Sequence, residues 1–336
     1  MSAIKLMSKN RPKACNLSIT LSCMLKCKVC YHWQKDETQI ARPGIEDWKE
    51  FLSSVRKEID KDFTVVFGGG EPLLLPDLLI DLISFSSKLG FKTALATSGH
   101  TINREFAQRL YDTGLNNIDL TIFSLEPKVH DFLRGTEGSL ERVLKAVEYL
   151  GKLDKRLSIG INTIIMKPTL STLLNLTDWV NNNSRLSGIY YQAITRPFHT
   201  PFIERWYEDE RYSFLWPNDA KELEEVIDGI ISRKNREFRI ANPVAQMETF
   251  KQFFKNPELF VKKASCNLAN GSFFAVNSDG TMTLCPYLDS LGKINEDSFS
   301  KLWNSEIAGQ VMDKINHCAV NCHHLINCWF EEDNHE

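Results

Sequence analysis

The sequence predicts an α/β fold built on a parallel sheet, followed by a smaller C-terminal part of different character. Three observations carry this. Short apolar runs such as Thr64-Val65-Val66-Phe67 recur along the first two-thirds of the chain, each followed by a helical pattern. The repeat length is roughly thirty residues, the size of one βα unit. After Ile194 the alternation stops.

The strand candidates are Cys15–Thr20, Phe63–Phe67, Phe91–Ala96, Asn117–Phe123, Leu157–Ile165 and Gly188–Ile194. Between them lie helical patterns at Ile45–Ile59, Asp77–Leu89, Arg104–Asp112, Ser139–Leu150 and Leu170–Asn181. Six such units make a partial barrel, a full barrel or a doubly wound sheet, and in each the functional residues gather at the carboxyl ends of the strands. Thr195–Trp216 is rich in aromatics and charges, and Pro197, Pro201 and Pro217 argue against one continuous helix there. Pro217–Arg233 looks helical, and a mixed stretch runs to Lys263. From Cys266 come short strands around a hairpin turn at Asn277-Ser278-Asp279-Gly280, a helical stretch near Ser298–Ile315 and a cysteine-rich end. A boundary between Lys234 and Ser265 divides the chain into parts spanning 1–234 and 235–336.

Hydrophobic residues at 43% and charged residues at 25% describe an ordinary globular protein. A net charge of −3 gives no reason to expect nucleic acid as a partner. The first stretch, MSAIKLMSKNRPK, is basic but lacks the apolar core of a secretory signal. No apolar run approaches a membrane span. Nine cysteines without a signal point to a reducing compartment, the cytoplasm, and to metal ligation over disulfides.

Cys23, Cys27 and Cys30 of CMLKCKVC have the spacing C-x3-C-x2-C, and no cysteine nearby completes a set of four. A [4Fe–4S] cluster normally takes four thiolates, one per iron, so three ligands leave one iron open. The alternative is a zinc knuckle or buried structural thiols. Zinc sites usually add a second cysteine pair or histidines, and His32 sits too close to Cys30 to be an obvious partner. The spacing favours the cluster. The triplet directly follows the first strand. Directly after the second comes Gly68-Gly69-Gly70-Glu71-Pro72, where glycine permits close approach to a ligand and a carboxylate accepts hydrogen bonds from an ammonium group. A glycine run alone is more often a tight turn. One βα unit after the cysteine triplet, it carries more weight.

These two marks resemble the radical S-adenosylmethionine (SAM) enzymes. The resemblance implies a partial (βα)6 TIM-like barrel, with a [4Fe–4S] cluster on Cys23, Cys27 and Cys30 whose open iron takes the amino and carboxylate groups of SAM. It implies that Gly69, Gly70 and Glu71 form the loop that contacts the methionyl amine. It further implies an external reductant such as flavodoxin or ferredoxin, and hydrogen abstraction from a substrate by a 5′-deoxyadenosyl radical. Thr97-Ser98-Gly99 resembles the family's T-N-G turn and Ser124-Leu125-Glu126 its S-L-D element; the stretch His130–Gly135 resembles a segment of the peptide-modifying branch. By that analogy Ser98, Ser124 and Arg134 contact SAM, Arg134 suiting a carboxylate because a guanidinium pairs with it bidentately. Asn162 is a weaker candidate for the same task. One departure stands out: many members carry an aromatic just before the third cysteine, where this chain has Val29, and Tyr31, His32 and Trp33 follow instead.

Cys266, Cys285, Cys318, Cys322 and Cys328 form a second group, with Gly280 and Cys285 spaced G-x4-C and the tail reading C-x3-C-x5-C. A thiolate-rich group in a reducing compartment usually ligates metal. The arrangement resembles the C-terminal extension called SPASM or, when shortened, Twitch, which implies a small α+β iron–sulfur domain. Five thiols suffice for one auxiliary [4Fe–4S] cluster, with Cys266 and Cys285 as ligands and Cys322 and Cys328 ranked above Cys318. His317, His323 and His324 read as solvated, and Cys15 as a small buried residue. Relatives of this kind mostly modify peptide or protein side chains, and some oxidise small molecules such as sugars. Only some fourteen residues stand before the first strand, so no leader-binding domain is expected there. Thr195–Trp216, with Arg196, His199 and Glu204, is a candidate lid. From another class, a non-catalytic iron–sulfur carrier or a zinc-stabilised binding module remains, but neither has need of the Gly69–Glu71 loop.

Overall fold

The computed structural model describes residues 11–59, 62–261, 266, 268 and 271–328; most of the basic N-terminal stretch lies outside them. Six strands match the expected ones to within two residues: β1 (Ala14–Thr20), β2 (Thr64–Gly69), β3 (Lys92–Thr97), β4 (Asn117–Thr121), β5 (Ser158–Ile165) and β6 (Gly188–Ala193). Between them run α1 (Ile45–Glu58), α2 (Pro76–Lys88), α3 (Arg104–Asp112), α4 (Pro127–Arg134), α5 (Ser139–Gly151) and α6 (Leu170–Asn182). Local chemistry sets the helix starts: Asn103 Oδ1 accepts from Phe106 N at 2.8 Å, and proline opens α2 and α4.

The strands lie side by side in chain order, β6-β5-β4-β3-β2-β1, all parallel. A doubly wound sheet reverses order at a switch point. Unbroken order with crossovers of one hand sends every helix to the same face and curls the sheet towards a barrel. This order selects the partial barrel from the three arrangements. Ile118, Leu120, Ile161 and Ile189 are fully buried, and Tyr191 hydrogen-bonds Thr177 of α6, which identifies the helix-covered face. The opposite face carries Asn117, Asp119, Asn162 and Tyr190, and Asp119 is in register with Gly160 and Gly188. Polar side chains and glycines leave a cavity of about 440 Å³ at the amino ends of β4–β6, where a full barrel is packed solid.

The free edge of β1 is extended rather than left open. β7 (Phe273–Val276) pairs with it in parallel, Cys15 lying opposite Phe274. β8 (Thr281–Thr283) and β9 (Gly292–Lys293) follow antiparallel, giving one nine-stranded sheet through both parts of the chain. The expected hairpin turn is there, Gly280 having φ +81°. α7 (Ala220–Lys234) agrees with expectation. α8 (Val244–Lys255) was read only as part of a mixed stretch, because the buried Gln246 and Thr249 interrupt its apolar face of Met247, Phe250, Phe253 and Phe254. The stretch near 298–315 is two helices, α9 (Phe299–Trp303) and α10 (Glu306–Asn316), since Ser305 Oγ accepts from Ala308 N and starts a new one. α11 (His323–Asn327) ends the described chain.

The far edge of β6 is capped by side chains. Asn242 accepts from Tyr191 N at 2.7 Å and donates to Tyr191 O at 2.8 Å. Asn327, on α11, does the same for Ala193 at 2.8 and 2.9 Å. Two amide groups thus satisfy alternate residues, as a neighbouring strand would.

Candidate active site

The first three cysteines sit in the loop leaving the carboxyl end of β1, and both ends of this loop are clamped. At its start, the Glu37 carboxylate, 1% exposed, accepts from Thr20 Oγ1 (2.6 Å), Leu21 N (2.9 Å), Ser22 N (3.0 Å) and Arg42 Nη2 (2.7 Å), and from the Ser278 hydroxyl of the C-terminal hairpin. Burial pushes this carboxyl up, but the hydrogen bonds, Ser278 foremost, outweigh it and hold the group down at about 2. Sequence reasoning missed Glu37, which stands in a polar run with no signal of its own. Further along, Lys28 N donates to Leu133 O at 2.8 Å. Gly135 ends α4 at φ +61°, with Lys26 O only 2.2 Å from where a Cβ would stand. Burial raises the Cys23 thiol to about 11 and Cys30 to about 12, and the neighbouring Cys27 adds to both. Such thiols become thiolates only beside compensating positive charge.

The glycine loop after β2 packs directly on the cysteine loop. A Cβ on Gly69 would meet Thr20 O at 2.5 Å, and one on Gly70 would meet Ser22 O at 2.1 Å. Gly70 N and Glu71 N donate to Thr20 O and Ser22 O, both at 2.9 Å. Glu71 is 2% exposed. Its carboxylate accepts from Thr97 Oγ1 at 2.6 Å, from Ser98 N at 3.0 Å and from the Ser98 hydroxyl. The side chain therefore ties the ends of β2 and β3 together, which bears on the part expected of it as an acceptor for an ammonium group.

Arg134 and Ser124 come from the next unit. Arg134 Nη2 donates to Thr121 O at 2.6 Å, its guanidinium lies 4.8 Å from the Phe123 ring centre, and Nη1 is 3.7 Å from Cys27 Sγ. Ser124 is fully buried, its hydroxyl accepting from Glu126 N at 3.0 Å. Cys23, Cys27, Cys30, Gly69, Gly70, Glu71, Ser98 and Arg134 thus form one connected set of contacts, with Ser124 beside it. Asn162 lines the cavity at the other end of the strands.

The thiols of the second set lie within electrostatic reach of one another. The charge of Cys285 and Cys318 acts on Cys266, that of Cys266 and Cys285 on Cys322, and that of Cys322 and Cys266 on Cys328. Burial lifts Cys322 to about 11 and Cys328 to about 12. Cys318 is the exposed member. His324 Nδ1 lies 3.6 Å from Cys328 Sγ, and burial lowers His323 to about 3 and His324 to about 4. Those two histidines are half-buried and held towards the neutral form, while His317 is exposed.

The segment after β6 joins the two sets. Tyr31 N donates to Phe198 O at 2.9 Å and Phe198 N to Val29 O at 3.3 Å, forming a short parallel bridge at Cys30. The Phe198 ring is 4.8 Å from that of His323, next to Cys322. His199, at φ +61°, has Nε2 3.0 Å from His32 Nε2. Tyr31 packs on Trp33 and edge-on to Tyr212, so the aromatics after the third cysteine seat this segment.

Thiolates are the usual ligands of iron–sulfur clusters, one per iron, and both places offer thiols as their main donors. Among the described residues no three His, Cys, Asp or Glu side chains converge as they would on a single ion. The glycine cradle and the buried Arg134 beside Cys27 also suit a bound anionic group. The residues present fit.

These features define an α/β protein with two groups of thiols, one at the carboxyl ends of its parallel strands. Residues 17–180 match the model of the radical SAM superfamily, and residues 266–329 match SPASM, an iron–sulfur cluster-binding domain. The chain belongs to the radical SAM superfamily, and SAM and a [4Fe–4S] cluster are its cofactors, with further iron–sulfur binding in the SPASM domain. It is 25% identical over 315 residues to the AdoMet-dependent heme synthase of Methanosarcina barkeri, covering 90% of this chain and 86% of that one. It is 30% identical over 166 residues to the PqqA peptide cyclase of Bradyrhizobium diazoefficiens, covering 48% and 41%. In fold it resembles Streptococcus suis SuiB bound to the precursor peptide SuiA, at TM-score 0.68 and 16% identity, covering 92% and 70%. No helix among the described residues is long and apolar enough to cross a membrane.

Proposed function

We propose that the chain abstracts a hydrogen atom from a residue of a peptide or protein, leading to a crosslink, an epimer or an oxidised residue. When bound, SAM and the cluster on Cys23, Cys27 and Cys30 supply the 5′-deoxyadenosyl radical. Gly69 and Gly70 bring the backbone against the cosubstrate, Glu71 and Ser98 brace that backbone, and Ser124 and Arg134 face its polar end. Cys266, Cys285, Cys322 and Cys328 would hold an auxiliary [4Fe–4S] cluster, which would supply a one-electron acceptor, with Cys318 as the spare thiol. An external one-electron donor of the flavodoxin or ferredoxin class reduces the first cluster.

The observation that carries the substrate class is the rim between the two thiol sets. Phe198, Phe202 and Tyr287 are 37%, 77% and 54% exposed, and Arg196 contacts both Phe202 and Tyr287. A broad, exposed aromatic rim suits an extended ligand better than an enclosed pocket would. A second reading, a small ring compound, is favoured by the heme synthase match, which runs over 90% of the chain where the peptide cyclase covers 48%.

Anaerobic reconstitution followed by iron counting and assay for 5′-deoxyadenosine tests the core: about eight irons and SAM cleavage are expected, and zinc or no cleavage overturns it. A perdeuterated cell extract, split into polypeptide and small-molecule fractions, then separates the substrates. Deuterium entering 5′-deoxyadenosine from the polypeptide fraction alone supports the peptide reading; transfer from the small fraction alone replaces it with the second.

A further inference from the structure

Resting on the assignment of Cys23, Cys27 and Cys30 as cluster ligands, we propose that Arg134 raises the reduction potential of that cluster through a hydrogen bond from Nη1 to the Cys27 sulfur. This makes it a positioning and tuning residue for the cluster, distinct from its suggested contact with SAM.

Arg134 is 7% exposed. Its hydrogen-bond partners among the described residues are Thr121 O and Cys27 Sγ, neither of them a carboxylate, and its Nε is buried without a partner. Burying a cation with no counter-ion is costly, so the surroundings call for negative charge. The nearest group able to carry it is the Cys27 sulfur, at 3.7 Å. Thr121 O and the Phe123 ring hold the guanidinium from its other sides. The contact is also braced from the cysteine loop. Lys26 packs against Gly135 and Lys28 bonds Leu133, so the residues on both sides of Cys27 are anchored to the end of α4 that carries Arg134.

Hydrogen bonds to ligating sulfurs and burial are two of the levers that set an iron–sulfur potential. One-electron reduction by the external donor adds a negative charge to the cluster and breaks no bond in the protein. A fixed, buried positive charge beside one ligand favours that reduced state, and does so more strongly in low dielectric than in water.

The test is a mediator titration, without SAM, of reconstituted wild type, Arg134→Gln and Arg134→Lys. It follows the electron paramagnetic resonance signal that disappears when Cys23, Cys27 and Cys30 are changed to alanine. SAM affinity is measured separately by equilibrium binding. Iron content should hold, with the midpoint of Arg134→Gln more negative than wild type and that of Arg134→Lys in between. A wild-type midpoint in Arg134→Gln, with SAM affinity reduced, overturns the inference and leaves Arg134 as a cosubstrate contact only. If Arg134→Gln fails to take up iron, Arg134→Lys decides: a midpoint below wild type supports the inference and an unmoved one overturns it. Wild type without the signal would overturn the cluster assignment itself, and this inference with it.

Discussion

The two thiol sets differ in what surrounds them. The first has three cysteines, a buried guanidinium and a backbone cradle in which neither glycine tolerates a Cβ. The second has five cysteines, half-buried histidines held towards the neutral form and a short helix held against the barrel edge. An incomplete ligand set beside a cradle keeps a coordination position for an exchangeable molecule. On the proposed reading, four of the five thiols fill every position of an auxiliary cluster, which suits electron storage. The contrast teaches that two cysteine groups with similar spacings differ in thiol count and in backbone access, and the proposed function rests on that difference.

The largest test removes one side of that contrast. Changing Cys23, Cys27 and Cys30 to alanine should abolish 5′-deoxyadenosine formation and lower bound iron from about eight to about four; unchanged cleavage, measured by chromatography, would erase the distinction. Cys322→Ala or Cys328→Ala should do the opposite, sparing SAM cleavage and the first cluster's resonance signal while substrate turnover collapses. Gly70→Ala forces a Cβ to 2.1 Å from Ser22 O. We expect it to cost roughly 1–3 kcal/mol of stability by thermal unfolding and about tenfold or more in SAM affinity. Asn327→Leu leaves both backbone groups of Ala193 unpaired and should cost about 2–4 kcal/mol, with faster amide exchange confined to β6; uniform exchange would deny that α11 guards the edge.

The smallest effect is a pH dependence. The folded Glu37 carboxyl sits at about 2 against an ordinary 4.5. Its ionised form therefore favours folding, and that stability is complete above about pH 4.5 and fades as the pH falls towards 2. Glu37→Gln should be less stable at neutral pH and show a shallower loss through the acid range. A loss of the same steepness would show that other carboxylates dominate.

The alternation of strands and helices was legible because each strand carries its own apolar run and each helix its own period. The order of the strands was not, since winding is decided by which edges meet. Cys15 and Phe274 lie opposite one another across β1 and β7, yet nothing near either residue announces the pairing. The cysteine and glycine motifs were legible because covalent ligation and close approach demand particular residues at particular spacings. Glu37 was not: a buried acid surrounded by donors looks the same in sequence as one in water. Arg134 was read as a partner for a carboxylate, and the structure adds a contact with sulfur. Val244–Lys255 was missed because buried amides and hydroxyls, needed by neighbours such as Asn242, blurred its apolar stripe.

The amide caps on β6 carry a consequence for how the protein is made. Ala193 receives its cover from Asn327, 134 residues later in the chain. At 5–20 residues per second a ribosome needs about 7–27 s to supply it. Through that interval the edge of β6 offers unpaired N–H and C=O groups to any passing strand. The nascent chain is thus most at risk of misassembly between the completion of β6 and the arrival of α11, a window in which a chaperone would have the most to do.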